Sequence, residues 1–219
     1  MMLPRLLTAP ATEPVTKAEA MAHSRIDTDA KDGVIDSLMV AARRRVESET
    51  GLALITQTWV GTLDAWPGTP AADLYSLSSF VEGPISLATG SSDPIEIPKR
   101  PFQSVTSIKT LDEYGAEATV SSSLYFTALE GEPARGVVML KIGQTWPTTV
   151  LAPRAGIRIT FAAGFGDGPD DVPDDLRAAI LMLASHWYEN REPVVMGALG
   201  KLPHHVDEIL ASWRNLRLG

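Results

Sequence analysis

Residues 174–195, DDLRAAILMLASHWYENREPVV, constrain the fold more than any other stretch of this chain. Leu176, Ile180, Leu183 and Trp187 recur at steps of four, three and four, which puts them on one stripe of a helix. Pro173 falls where a first helical residue belongs. Asp174 and Asp175 follow in the first turn, where unpaired backbone amides leave partial positive charge. The helix then runs into Trp187, Tyr188, Glu189, Asn190, Arg191 and Glu192, with Pro193 as a stop. A stripe this apolar has to bury against other helices. Its end, with two aromatics, an arginine and two acids, reads as a contact surface and not as a catalytic constellation.

Helical partners are available at the other end of the chain. Thr16 and Glu19 have capping-box spacing, so a short helix is expected from there to about Arg25. Asp27 or Asp29 can cap a longer helix with the stripe Val34, Ile35, Leu38, Met39, Ala42 and Val46, stopped by Gly51. Residues 1–12, cut by Pro4 and Pro10, make a poor secretion signal and read as an extended arm. After Leu52 the composition turns to Thr, Val, Ile, Ser, Gly and Pro. Short runs at 55–63, 94–97, 105–111, 124–129, 137–142 and 157–161 suggest an antiparallel β unit of five to seven strands. Ile157, Ile159 and Phe161 alternate with polar residues, and residues 112–115 suit a hairpin connection. Residues 83–93 read as a mobile loop. A last helix, from His204 to Arg217, carries the stripe Val206, Ile209, Leu210, Trp213 and Leu216. The apolar Val194, Val195, Met196 and Leu199 before it are expected to dock on something.

The expected fold is therefore α+β. Terminal helices pack together as a helical connector core, and a central antiparallel β domain is inserted between them. The expected parts are an N-terminal arm and helical part at 1–51, the β domain at 52–165, and a C-terminal helical part at 166–219. Neither helical part alone can bury a sizeable core.

The net charge of −8 argues against gripping duplex DNA by neutralising phosphates. The only basic run is Arg43, Arg44 and Arg45. Its bland reading is interaction with the helix end and with Glu47 and Glu49; its functional one is a charged contact to a neighbouring subunit or to DNA. There is no cysteine, so thiolate chemistry, disulfides and cysteine zinc sites are excluded. No run reaches the roughly 18 apolar residues of a membrane span. Gly164, Gly166 and Gly168 follow a strand and precede a helix, but their spacing is wrong for a dinucleotide loop. The crowding aspartates would repel phosphate, and they lack a calcium-loop register, so a flexible turn before an acid-rich helix start is the better reading. His186 reads as a core-edge histidine, Trp187 as core and Tyr188 as interface. Neighbours Ser185 and His186 cannot pair on a helix, and no G-x-S-x-G elbow exists. No enzyme activity, metal or cofactor is expected.

With these pieces in place, the chain resembles the head–tail connector (adaptor) proteins of long-tailed bacteriophages and phage-like gene transfer agents. The resemblance is carried by residues 14–20 (PVTKAEA), His23, residues 25–27 (RID), residues 35–44, Thr50-Gly51, residues 55–59 (ITQTW), 101–105 (PFQSV), 144–147 (QTWP), 163–166 (AGFG) and the helix 180–192. It implies a structural subunit of a twelve-membered ring in the neck of a particle assembled in the bacterial cytoplasm. The implied partners are a portal protein, a stopper or tail-completion protein, and further copies of the chain. Double-stranded DNA would pass through the ring without sequence-specific binding. On this reading Leu202, Ile209, Leu210, Trp213, Arg214, Leu216 and Arg217 are expected at the portal contact. Arg43, Arg44, Arg45, Tyr188, Arg191 and Glu192 are expected at the subunit interface. A stopper or tail-completion role is the alternative, and a small hydrolase the remote one.

Overall fold

The structure, a computed structural model, describes residues 2–25, 32–67, 94–190 and 203–214. It is an α+β fold. Helices α1 (Lys17–His23), α2 (Asp32–Thr50), α3 (Asp174–Glu189) and α4 (His204–Trp213) come from both ends of the chain and share one apolar core. That core is built on Ile35, Met39, Ala42 and Val46 of α2, Leu176, Ile180 and Leu183 of α3, and Val206 and Leu210 of α4. Each set has helical spacing, so each stripe faces inward.

The local signals act where expected, with small displacements. The Thr16 hydroxyl accepts from the Glu19 amide, and the Glu19 carboxylate accepts from the Thr16 amide at 2.7 Å, closing the capping box. Gly51 stops α2 with φ +74°. Pro173 is the residue before the first turn of α3 and not its first member. Val34 is exposed, because the stripe turns inward only at Ile35. His186 is exposed rather than at the core edge, and Trp187 is only half-buried. The expected caps Asp27 and Asp29, the loop 83–93 and the docking residues 194–199 lie outside the described residues.

The strands are β1 (Leu3–Thr8), β2 (Gln57–Leu63), β3 (Ile95–Glu96), β4 (Phe102–Leu111), β5 (Glu117–Thr119), β6 (Tyr125–Glu130), β7 (Arg135–Leu140) and β8 (Ile157–Ala163). These strands pair antiparallel, in a five-stranded sheet ordered β1-β2-β8-β4-β5 and a three-stranded sheet ordered β3-β7-β6. Ile157, Ile159, Phe161 and Ile108 of the first sheet share a second core with Ile95, Val138 and Tyr125 of the second, so the sheets face each other. Trp66 and Trp146 stack inside it, ring centres 4.2 Å apart. The arm is extended but not free: Leu3–Thr8 is an edge strand on β2, a position that tolerates Pro4.

The two cores meet at residues 52–55. Leu52, Leu54 and Ile55 belong to the helical core, while Ala53 between them belongs to the sandwich core. Gly164 is packed against this crossing. A Cβ there would come within 2.5 Å of the Thr56 amide nitrogen, and its φ is +150°. The Thr56 amide donates to the Gly166 carbonyl at 2.8 Å. The expected flexible turn is thus a tight crossing of backbones.

Candidate interaction surfaces

Arg43 is turned into its own chain. It is only 4% exposed; its Nε donates to Glu13 and its Nη1 to Glu47, both at 2.7 Å. Glu47 also accepts from the Leu54 amide at 3.0 Å and from the Gln57 side-chain amide, so this cluster ties α2 to the start of the sandwich. A buried guanidinium needs such partners, and having them it serves the chain's own core. Arg45 pairs with Glu49 one turn on, at 2.7 Å. Arg44 is exposed. Tyr188 is half-buried against the helical core, and Arg191 and Glu192 lie outside the described residues.

The expected portal-contact residues divide in the same way. Leu210 is fully buried and Ile209 is half-buried, so α4 is part of the helical core rather than a free docking tail. Trp213 packs edge-on to Phe165, and its indole N–H donates to Asp175 at 2.7 Å. Arg214 donates to Asp207 at 2.7 Å and to Glu49 at 3.1 Å; these bonds raise the pKa of its guanidinium. Leu202, Leu216 and Arg217 lie outside the described residues.

Other ties were not visible in the sequence because their partners are far apart in it. Arg177 holds Glu19 at 2.6 Å and the Pro14 carbonyl at 3.1 Å, fastening α3 to the residues leading into α1. The Thr16 amide and hydroxyl, and then Arg177, lower the pKa of Glu19. Ser185 does find a histidine, but it is His23 at 2.9 Å, with Ser24 at 2.6 Å on the other side. No carboxylate bonded to His23 is described. The trio is a helix-to-helix tie and lacks the third member of a catalytic triad. Among the described residues, no group of three His, Asp or Glu side chains could hold a metal, and no helix is long and apolar enough to cross a membrane.

A basic patch does exist, away from the arginine run. The outward face of the five-stranded sheet forms an open groove of about 520 Å³, whose lining includes Arg5, Lys109, Arg158, Thr160 and Glu117. These residues come from four different strands, and only the strand register brings them together: Arg158 stands opposite Lys109 and Thr62, and Arg5 opposite Val60.

The chain is thus an α+β protein with a helical core and a sandwich core. Among solved structures, the chain is similar to one in the virion of a native gene transfer agent (GTA) particle, at 25% identity and a TM-score of 0.72. That match covers 99% of this chain and 97% of the other. It is equally similar to a chain in the neck of an empty GTA particle computed with C6 symmetry (26% identity, TM-score 0.72, 99% and 97% covered). A third match is to the neck of a native GTA particle computed with C12 symmetry (25% identity, TM-score 0.65, 98% and 97% covered). No protein-family model and no curated protein matches the chain.

Proposed function

We propose that this chain is a structural adaptor subunit in the neck of a gene transfer agent or tailed phage, forming a ring between the portal and the stopper or tail around the DNA channel. The observation that carries this is end-to-end similarity, in both helical and sandwich halves, to chains from a GTA virion and its neck. A likeness confined to one half would speak only for a common fold. Similar chains occur in maps with six-fold and with twelve-fold symmetry. A twelve-membered ring fits both, since twelve-fold symmetry contains six-fold; a six-membered ring fits only the first. That supports the twelve-membered ring of this reading.

On this reading the half-exposed edge of α4, with Ile209 and Trp213, faces the portal. Arg44 and Tyr188 face the next subunit. The test is a map of the neck of particles that incorporate the tagged chain, computed without imposed symmetry. Twelve copies directly below the portal are expected. A position nearer the tail, away from the portal, would make it a stopper, and absence from the particle would end the reading.

A further inference from the structure

We propose that the basic groove on the five-stranded sheet receives the acid-rich turn before α3 of a second copy of this chain. The inference rests on the ring reading above and names the contact that would build the ring.

The groove carries Arg5, Lys109 and Arg158 against one carboxylate, Glu117, on a chain whose net charge is −8. Glu117 sits between Lys109 at 3.1 Å and Arg158 at 2.6 Å. The patch therefore keeps a positive excess, and no ion pair of Arg5 is described. The hydroxyls of Thr62, Ser107 and Thr160 add hydrogen-bonding groups beside it.

The complementary surface is the turn at residues 167–175. Asp171 is used locally by the Gly168 amide, and Asp175 by the Leu176 amide and Trp213. Asp167, Asp170 and Asp174 are left outward. Asp170 and Asp174 are fully exposed. Their nearest cation, Arg177, stands 4.0 and 3.6 Å away and is already held by Glu19 at 2.6 Å. Arg158 lies near one end of β8 and the turn follows its other end. At about 3.3 Å per residue the two are separated by more than about 15 Å of strand. One copy can therefore use both faces at once, which is what a head-to-tail contact that closes into a ring requires. Duplex DNA fits the groove less well, because Glu117 stands among the cations where a phosphate chain would run.

The chain has no cysteine, so Thr160→Cys with Asp170→Cys gives the full-length protein its only two thiols. Oxidation of the concentrated protein should yield a ladder of covalent dimers, trimers and larger species, whereas either single variant can give dimers at most. No ladder from the double variant overturns the proposal. Charge reversal provides a second readout. Arg5→Glu/Arg158→Glu and Asp167→Lys/Asp170→Lys should each weaken association by about tenfold or more in sedimentation, and an equimolar mixture should restore it. The mixture works because the reversed groove of one variant meets the reversed turn of the other in alternation. Unchanged association of the single-class variants, or no rescue in the mixture, overturns the proposal. So does wild-type binding of a short DNA duplex that the groove variant loses while association stays the same. Presence in the particle neck without the cross-link rejects this contact and leaves the neck reading standing. A cross-linked chain absent from the particle does the reverse.

Discussion

The helical half and the sandwich half of this molecule solve the same packing problem differently. In the sandwich, backbone ladders fix the register of every strand, so its charged groups can stay outside; Glu117, Lys109 and Arg158 all lie on the solvent face. Helices packed through apolar stripes have no ladder between them and can slide. There, polar side chains fix the alignment: Arg43 on Glu13 and Glu47, Arg177 on Glu19, Trp213 on Asp175. The difference teaches where charge matters. The buried charges of the helical half are structural, whereas those on the sandwich face lie in solvent, where they can meet a partner.

The largest test of that contrast is removal of α4. Deleting residues 203–219 strips Val206 and Leu210 from the helical core. Since a single buried Leu→Ala change costs about 2–5 kcal/mol, the deletion should unfold the helical half. Far-ultraviolet circular dichroism follows the helices, and the near-ultraviolet signal of the stacked Trp66 and Trp146 follows the sandwich. A helical signal that survives the deletion would break the comparison.

Next comes charge removal. Arg43→Ala leaves Glu13 and Glu47 facing each other without their cation and should cost about 3–5 kcal/mol in denaturant unfolding. Arg158→Ala, which breaks an exposed pair, should leave the unfolding midpoint within error. Equal effects would mean that charge plays the same part in both halves. Gly164→Ala pushes a Cβ onto backbone at the junction and should cost about 1–3 kcal/mol; a neutral result would show that the crossing can move apart.

The smallest effect is at the cap. Thr16→Ala should cost about 1 kcal/mol at neutral pH. Glu19 has a lowered pKa, so its contribution is fully present above the unfolded value of 4.5 and is lost as pH falls through the folded one. The stability gap between wild type and Glu19→Gln should therefore close on acidification below pH 4.5. A gap that persists at low pH would remove the ionised carboxylate from the account.

The helices were legible because three stripes repeat with helical spacing, with a stop at Gly51 and a start at Pro173. Most strands were legible from alternation and turn residues. β1 was read only as an extended arm because Pro4 and Pro10 argue against a central strand and say nothing of an edge. β5 was missed because Glu117, Ala118 and Thr119 are all exposed and show no alternation. The burial of Arg43 was half legible: Glu47 stands one helical turn away in sequence, but Glu13 does not. The basic face could not be read, since Arg5, Lys109 and Arg158 become neighbours only through strand order.

Residues 52–55 carry one further consequence, a mechanical one. A linker that rotates freely needs a stretch of backbone whose side chains grip nothing. Here successive side chains grip opposite bodies, and Thr56 is bonded to the returning chain at Gly166. Twisting one half against the other would have to pull Leu54 out of one interior and Ala53 out of the other in the same movement. The junction therefore joins the two halves as a rivet does, not as a hinge.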